Sequence, residues 1–242
     1  MIQITITYTC HRCGSKDIAP NGTNKCGNAQ YHCNDCGAYR VLEPKSPYSE
    51  ADKQTILTTY LERASLRGLE RIFGVSRQTV SKWIRAMVSH LPPLNSTVAP
   101  AQPGDIVELD EIWSFVGKKR EKRWLWVALC KRTRQVVAFV IGDRSQETCL
   151  RLWRKIPKAY KTCVTFSDRW QAYQDVFPAD THHSVPKQAG KTSHIERWNN
   201  TLRQRVGRYV RSTLSFSKSD VFHHMVTKWF IIDYNQNLSL TI

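Results

Sequence analysis

Apolar residues along the chain recur in two rhythms, and the change from one to the other divides it. Between about residues 48 and 91 the spacing is helical. Ile56, Leu57, Tyr60 and Leu61 line one face of a first helix, and residues 65–73 and 77–85 carry two more. Gly74 makes the turn between the last two. Ser76 caps the helix after it, and Val80, Trp83 and Ile84 point inward, so 48–91 has the form of a helix-turn-helix domain. Leu91-Pro92-Pro93 stops the run, and the stretch to Gly104 is rich in Pro, Ala, Ser and Thr, which reads as a linker over 92–104. Beyond it the period shortens to two. Residues 106–115, 124–130 and 135–141 read as three consecutive strands with short polar turns. A helix over 146–156, a strand over 162–166 and a helix over 170–176 follow, with a fifth strand near 182–185. Two longer helices, from about 192 to 210 and from 219 to about 234, close the chain. A meander followed by strands alternating with helices predicts a mixed α/β sheet flanked by helices over 105–242.

The first 43 residues follow neither rhythm; their pattern is cysteine. Cys10-x2-Cys13 and Cys33-x2-Cys36 stand nineteen residues apart, each pair followed directly by Gly14 or Gly37. Four thiolates at this spacing predict one structural Zn²⁺ in a zinc ribbon, held by Cys10, Cys13, Cys33 and Cys36. Cys26, His11 and His32 are left unliganded, and Cys130, Cys149 and Cys163 sit in apolar contexts as small core residues. Glu43-Pro44-Lys45-Ser46-Pro47 reads as a short linker. No apolar run approaches the ~20 residues of a membrane helix, and residues 1–9 are too short and polar for a signal peptide. A soluble cytoplasmic protein with no membrane partner is expected. Its 36 basic against 20 acidic residues give a net charge of +16, which calls for a polyanionic partner and salt-sensitive binding.

Three phrases carry candidate chemistry: Leu109-Asp110-Glu111-Ile112-Trp113, Phe166-Ser167-Asp168-Arg169-Trp170 and His194-Ile195-Glu196-Arg197-Trp198-Asn199-Asn200. Asp110 closes an alternating apolar run within the first strand, where Glu108 shares its face and Leu109 the other. Asp168 follows a strand, and Glu196 opens a basic helix whose buried stripe is Ile195, Trp198, Leu202 and Val206. Glu196, Asn200 and Arg203 lie together on that helix's flank. Carboxylates delivered from two strand ends and a helix suit two Mg²⁺ ions, with Mn²⁺ as a substitute. Such hard cations take oxygen ligands, and held ~3.5–4 Å apart they support phosphoryl transfer. Arg77, Gln78, Ser81, Lys82 and Arg85, on the helix after Gly74, are candidates for a major groove and its phosphates.

Asp-Glu-x-Trp, Ser-Asp-x-Trp and His-Ile-Glu-Arg-Trp-Asn-Asn-Thr-Leu-Arg-Gln-Arg, followed by Thr213-Leu214-Ser215-Phe216-Ser217-Lys218-Ser219, resemble the insertion-sequence-1 transposases. The cysteine ribbon and helix-turn-helix look like the amino-terminal part of that family, in the layout of its two fused reading frames. The resemblance implies an RNase H-like catalytic domain of the DDE type, with Asp110, Asp168 and Glu196 as catalytic residues and Mg²⁺ ligands. Arg203 matches a basic residue seven positions after the Glu. It further implies binding of double-stranded DNA at the element's terminal inverted repeats and at the target, by a homo-oligomer, a dimer on DNA, associated with the nucleoid. Cleavage would expose a 3′-OH that then attacks target DNA, without a nucleotide cofactor. Arg197, Asn200 and Arg203 would position phosphates. Two rivals stand beside this reading: a non-catalytic DNA-binding regulator, and an RNase H-like nuclease without strand transfer.

Overall fold

The computed structural model describes residues 6–43 and 47–239, so Pro44, Lys45 and Ser46 of the expected first linker lie outside the described residues. The chain forms two compact units, residues 1–51 and 52–242. The first contains an antiparallel sheet of β1 (Ile18–Thr23), β2 (Ala29–Cys33) and β3 (Tyr39–Val41), in that order. Its core is little more than Cys10, Tyr31, Cys33 and Ala38, with Ile18, Cys36 and Leu42 against them. So small an apolar cluster needs a staple to hold a fold. Both cysteine pairs sit in tight turns, closed by Gly14 N–H to the Cys10 carbonyl (2.8 Å) and Gly37 N–H to the Cys33 carbonyl (2.9 Å). The two glycines have φ of +76° and +67°, a region closed to most side chains.

Three helices follow, α1 (Glu50–Tyr60), whose first two residues precede the boundary, then α2 (Leu66–Phe73) and α3 (Arg77–Ser89) within the second unit. Ser65 Oγ caps α2 by accepting from Gly68 N–H (2.9 Å), and Ser76 Oγ caps α3 by accepting from Thr79 N–H (3.2 Å). Gly74 ends α2 with φ +67° and donates to the Glu70 carbonyl (3.0 Å), the left-handed stop that allows the sharp turn. Val80, Ile84 and Val88 form the buried stripe of α3. Trp83, expected inward, is half-buried, with the Lys53 ammonium 5.9 Å from its ring.

Residues 92–104 do not hang free. Leu94–Thr97 forms a 3-10 turn, Ala99 N–H donates to Gln135 Oε1 (2.9 Å), and Tyr160 hydroxyl donates to the Ala99 carbonyl (2.8 Å). Then come β4 (Ile106–Phe115), β5 (Lys122–Cys130), β6 (Val136–Gly142), α4 (Gln146–Lys155), β7 (Val164–Ser167), α5 (Gln171–Val176), β8 (His182–Ser184), α6 (Ser193–Arg205) and α7 (Asp220–Ser239). The sheet order is β6-β5-β4-β7-β8. Its first three strands are antiparallel, and β7 and β8 are added in parallel. This mixed five-stranded sheet fits an RNase H-like domain.

Side chains of β4 alternate as a strand requires. Val107 and Leu109 pack into a core with Trp126, Cys149, Leu152 and Tyr173, beneath α4 and α5. Glu108, Asp110 and Ser114 face the opposite layer, where they meet residues of α6 and α7. In α6, Ile195, Trp198 and Leu202 are buried, and Trp198 meets Phe230 of α7 at 6.1 Å between rings.

One element is shorter than its periodicity suggested. α6 ends at Arg205 and not near 210, because the chain there meets the turn after α1. Arg63 N–H donates to the Arg205 carbonyl (2.6 Å), and a Cβ on Gly207 would lie 3.3 Å from the Arg63 carbonyl oxygen. Gly207–Tyr209 continues as a 3-10 turn. α7 runs on to Ser239, beyond the expected 234. No helix among the described residues is long and apolar enough to cross a membrane.

Candidate active site and metal centres

The register of β4 against β7 builds the acidic site. Their parallel ladder pairs Ile106 with Val164, Val107 with Thr165 and Glu108 with Phe166. Continued by two residues, that register sets Asp110 beside Asp168, where β7 has just ended. One carboxylate oxygen from each of Asp110, Glu111 and Asp168 lies within 4.8 Å of the others. Three acids this close repel one another unless cations intervene.

Glu111 already has its cation. Arg144 Nε donates to Glu111 Oε1 (2.7 Å), Arg144 Nη2 reaches the same oxygen, and Tyr173 hydroxyl donates to Oε2 (2.9 Å). The guanidinium lies 4.0 Å from the Trp170 ring centre and 4.8 Å from that of Trp124. Burial pushes the Glu111 pKa up and the Asp168 charge adds to this, with Arg144 opposing. Both oxygens of Glu111 are therefore engaged in a buried pair behind the two aspartates. Asp110 and Asp168 stay half-buried.

Helix α6 is pinned to β4 by Glu108, for which the sequence pattern signals only a shared face with Asp110. Glu108, fully buried, accepts through Oε2 from the backbone N–H groups of His194 and Ile195 (both 2.9 Å), and its Oε1 lies 2.6 Å from His194 Nδ1. A carboxylate there meets the unpaired amides and positive dipole end of the helix. So held, α6 brings Asn199 Nδ2 to Asp110 Oδ2 at 2.7 Å, while Asn199 Oδ1 is buried without a hydrogen-bond partner. Sequence reasoning chose Asn200 for this flank, but it is Asn199 that reaches Asp110, and Asn200 is exposed. The i, i+3 spacing from Glu196 was the available signal.

Glu196 is not among the three acids that converge. It is exposed in the first turn of α6, one turn before Asn199, and Thr192 Oγ1 donates to it (3.1 Å). Arg203, one turn after Asn199, is half-buried and donates through Nη1 to the Tyr209 carbonyl (3.1 Å). Burial lowers its pKa, Arg211 lowers it further, and the charge of Asp110 opposes both. Arg197 is exposed.

In the first unit the sulfurs of Cys10, Cys13, Cys33 and Cys36 all lie within 4.8 Å of one another, and Cys26 is exposed and apart from them. The Cys10–Cys36 and Cys13–Cys33 sulfur distances are both 3.6 Å. Tetrahedral zinc with bonds of ~2.3 Å requires sulfurs ~3.8 Å apart. The four thiols fit such an ion.

Of the α3 residues singled out, Arg77, Gln78, Ser81 and Arg85 line a cleft of about 900 Å³, whereas Lys82 is exposed outside that lining. Arg77 Nε is paired with Glu70 (3.0 Å), and the Arg85 guanidinium lies 5.8 Å from the Phe222 ring centre.

Residues 105–236 match a family described as IS1 transposase, and that span begins one residue before β4. The insertion element iso-IS1n protein InsB of Shigella dysenteriae is 41% identical over 128 residues, covering 52% of this chain and 93% of that protein. The insertion element IS1 protein InsB of Shigella flexneri is 39% identical over 119 residues, 49% of this chain and 88% of the relative. The insertion element IS1 4 protein InsB of Escherichia coli K12 is 36% identical over 135 residues, 54% and 78%. The shared region holds the sheet, all three converging acids and α6, and on that match over more than half of its 242 residues the chain belongs to the IS1 transposase family.

Proposed function

We propose that the protein is a DNA transposase that binds the terminal inverted repeats of its element and carries out metal-dependent strand cleavage and strand transfer. The observation that carries the reading is the meeting of Asp110 and Asp168 at the end of the β4–β7 ladder, with Asn199 of α6 on Asp110. The donors around that point are oxygens, one of them the unpartnered Asn199 Oδ1, which suits a hard divalent ion such as Mg²⁺ or Mn²⁺. Two such ions, when bound, activate the attacking oxygen and stabilise the leaving one.

Asp110 and Asp168 would hold the metals, with Glu196 supplied from the first turn of α6. Asn199 orients the Asp110 carboxylate, and Glu108 orients α6 itself. Arg203, Arg197 and Asn200 would hold phosphates next to the scissile one. Glu111 is a paired charge and takes no part as a ligand. Residues 48–91 serve as a helix-turn-helix that, with a zinc ribbon over 1–43, recognises the element ends, while 105–242 is the catalytic domain. A dimer on DNA would bring two ends together.

The test uses the full chain, labelled element ends and Mg²⁺. Wild type should give nicked ends and joined products, and Asp168→Asn should bind the ends within about twofold of wild type yet yield neither product. Cutting without joining would reduce the protein to a nuclease. Retained joining by Asp168→Asn would remove that residue from the site.

The zinc assignment is checked separately by metal content. One zinc per chain is expected, kept by Cys26→Ser and lost by Cys33→Ser. The loss should unfold the ribbon, because Cys10 and Cys33, half of its small buried cluster, are themselves ligands. Zinc lost from Cys26→Ser but kept by Cys33→Ser would reverse the assignment.

A further inference from the structure

The cleft beside α3 is more than the exposed face of a helix. It lies between α2 and α3 on one side and the segment 206–219 with the start of α7 on the other. Arg67, Arg71, Arg77, Arg85, Arg208 and Lys218 line it, and no Asp or Glu does. At its wall sits Arg208, only 9% exposed. Its Nη1 donates to Ser217 Oγ (2.7 Å) and its Nη2 reaches the Tyr60 hydroxyl, both neutral groups. No carboxylate pairs with Arg208 among the described residues. A guanidinium buried among neutral partners is costly, and an anion placed on it relieves that cost. The guanidinium's planar fork suits a phosphate.

Aromatic surface is interleaved with this charge. Phe222 lies under the guanidinium of Arg208 (5.1 Å) and near that of Arg85, and Phe216 packs at a tilt against Phe115, ring centres 5.2 Å apart. Basic grooves with rings are how proteins hold single strands, phosphates on cations and bases on rings. At about 900 Å³ the space lies in the range of a drug-sized ligand pocket (~300–1,000 Å³). That is room for a few nucleotides of one strand. Leu214, 95% exposed, stands at the cleft's edge between Thr213 and Ser215. An apolar tip so placed has no packing role in the fold, and apolar wedges beside nucleic acid part stacked bases.

We propose that this cleft binds an unpaired DNA strand, with a phosphate on Arg208 and Leu214 parting the strand from its complement. The proposal rests on the transposase reading for its ligand, since it names the strand that an opened element end would provide. It adds a single-strand site beside the duplex contacts of residues 48–91, separate from the acidic centre.

The full chain, in buffer without added Mg²⁺ so that no cutting occurs and the ribbon keeps its zinc, is titrated with a short labelled oligodeoxythymidylate. Arg71→Glu and Lys218→Glu, both on exposed positions, should each weaken binding about tenfold, and the salt dependence should become shallower. Arg208→Met should weaken it at least as much, and the two surface variants keep the test valid if that protein folds poorly. Leu214→Ser should bind the oligonucleotide normally, yet lose the fluorescence rise of 2-aminopurine placed at the end of a duplex. Wild-type oligonucleotide affinity in both charge-reversal variants would overturn the proposal, as would equal competition by a blunt duplex without terminal opening. Joining of element ends in Mg²⁺ together with either result would discard the cleft and keep the transposase reading. Strand binding at the cleft in a chain that neither cuts nor joins would do the reverse.

Discussion

Asp110→Asn is expected to lower end cleavage by at least about a thousandfold, roughly 4 kcal/mol of barrier, because it removes a charged ligand from the centre of the site. The amide can still accept the Asn199 hydrogen bond, so α6 should stay in place and the melting temperature should change little. The same loss is expected of Glu196→Gln, and that variant decides between two sets of three acids. Geometry alone gathers Asp110, Glu111 and Asp168, while the family resemblance selects Glu196. The engagement of both Glu111 oxygens by Arg144 and Tyr173 is the physical reason to prefer Glu196. A Glu196→Gln protein that cleaves at the wild-type rate would transfer the third position to Glu111. Circular dichroism of each variant separates loss of chemistry from loss of fold.

The second large effect is on stability. Arg144→Ala leaves the Glu111 side chain, 1% exposed, without its cation. Breaking a buried ion pair from one side costs about 3–5 kcal/mol. Arg144 itself is 34% exposed, which favours the lower end, about 3 kcal/mol. For a unit of this size that corresponds to a fall in melting temperature of roughly 10 °C. The loss also uncovers the Trp124 and Trp170 rings against which the guanidinium lies. The double variant Glu111→Gln, Arg144→Ala should recover part of the loss, because the orphaned charge is gone. A melting temperature for Arg144→Ala within a degree or two of wild type would show that water reaches and satisfies Glu111.

Much of this architecture could be read from local pattern, and the exceptions share a cause. β4 has the bounds that its alternation suggested, and the α2–α3 turn rests on Gly74 and Ser76 as their chemistry requires. The four thiols converge because their spacing is a local geometric constraint. What local pattern could not supply was contact between distant segments. The end of α6 is decided by Arg63, far back in the chain, and no periodicity near residue 205 reports it. A helical flank at ~100° per residue admits positions three and four ahead alike, so the i, i+4 reading that favours Asn200 misses Asn199, the residue that reaches Asp110. Glu111 adjoins Asp110 in sequence, and only the fold shows that Arg144 and Tyr173 occupy it. Glu108 reads as one more strand acid in the sequence, and only the fold shows that α6 begins on it.

The docking of the α1–α2 turn on the far end of α6 ties two jobs to one rod. Arg63 N–H holds the Arg205 carbonyl, Arg205 Nε holds Glu62 Oε1 (2.8 Å), and Arg208 reaches Tyr60. Six residues back, ~9 Å along the same helix, Asn199 touches Asp110. A helix is stiff over that distance, so an axial push delivered at one end arrives at the other almost undiminished. A tilt of α1 and α2 would therefore be felt at Asn199, and through it at the Asp110 carboxylate.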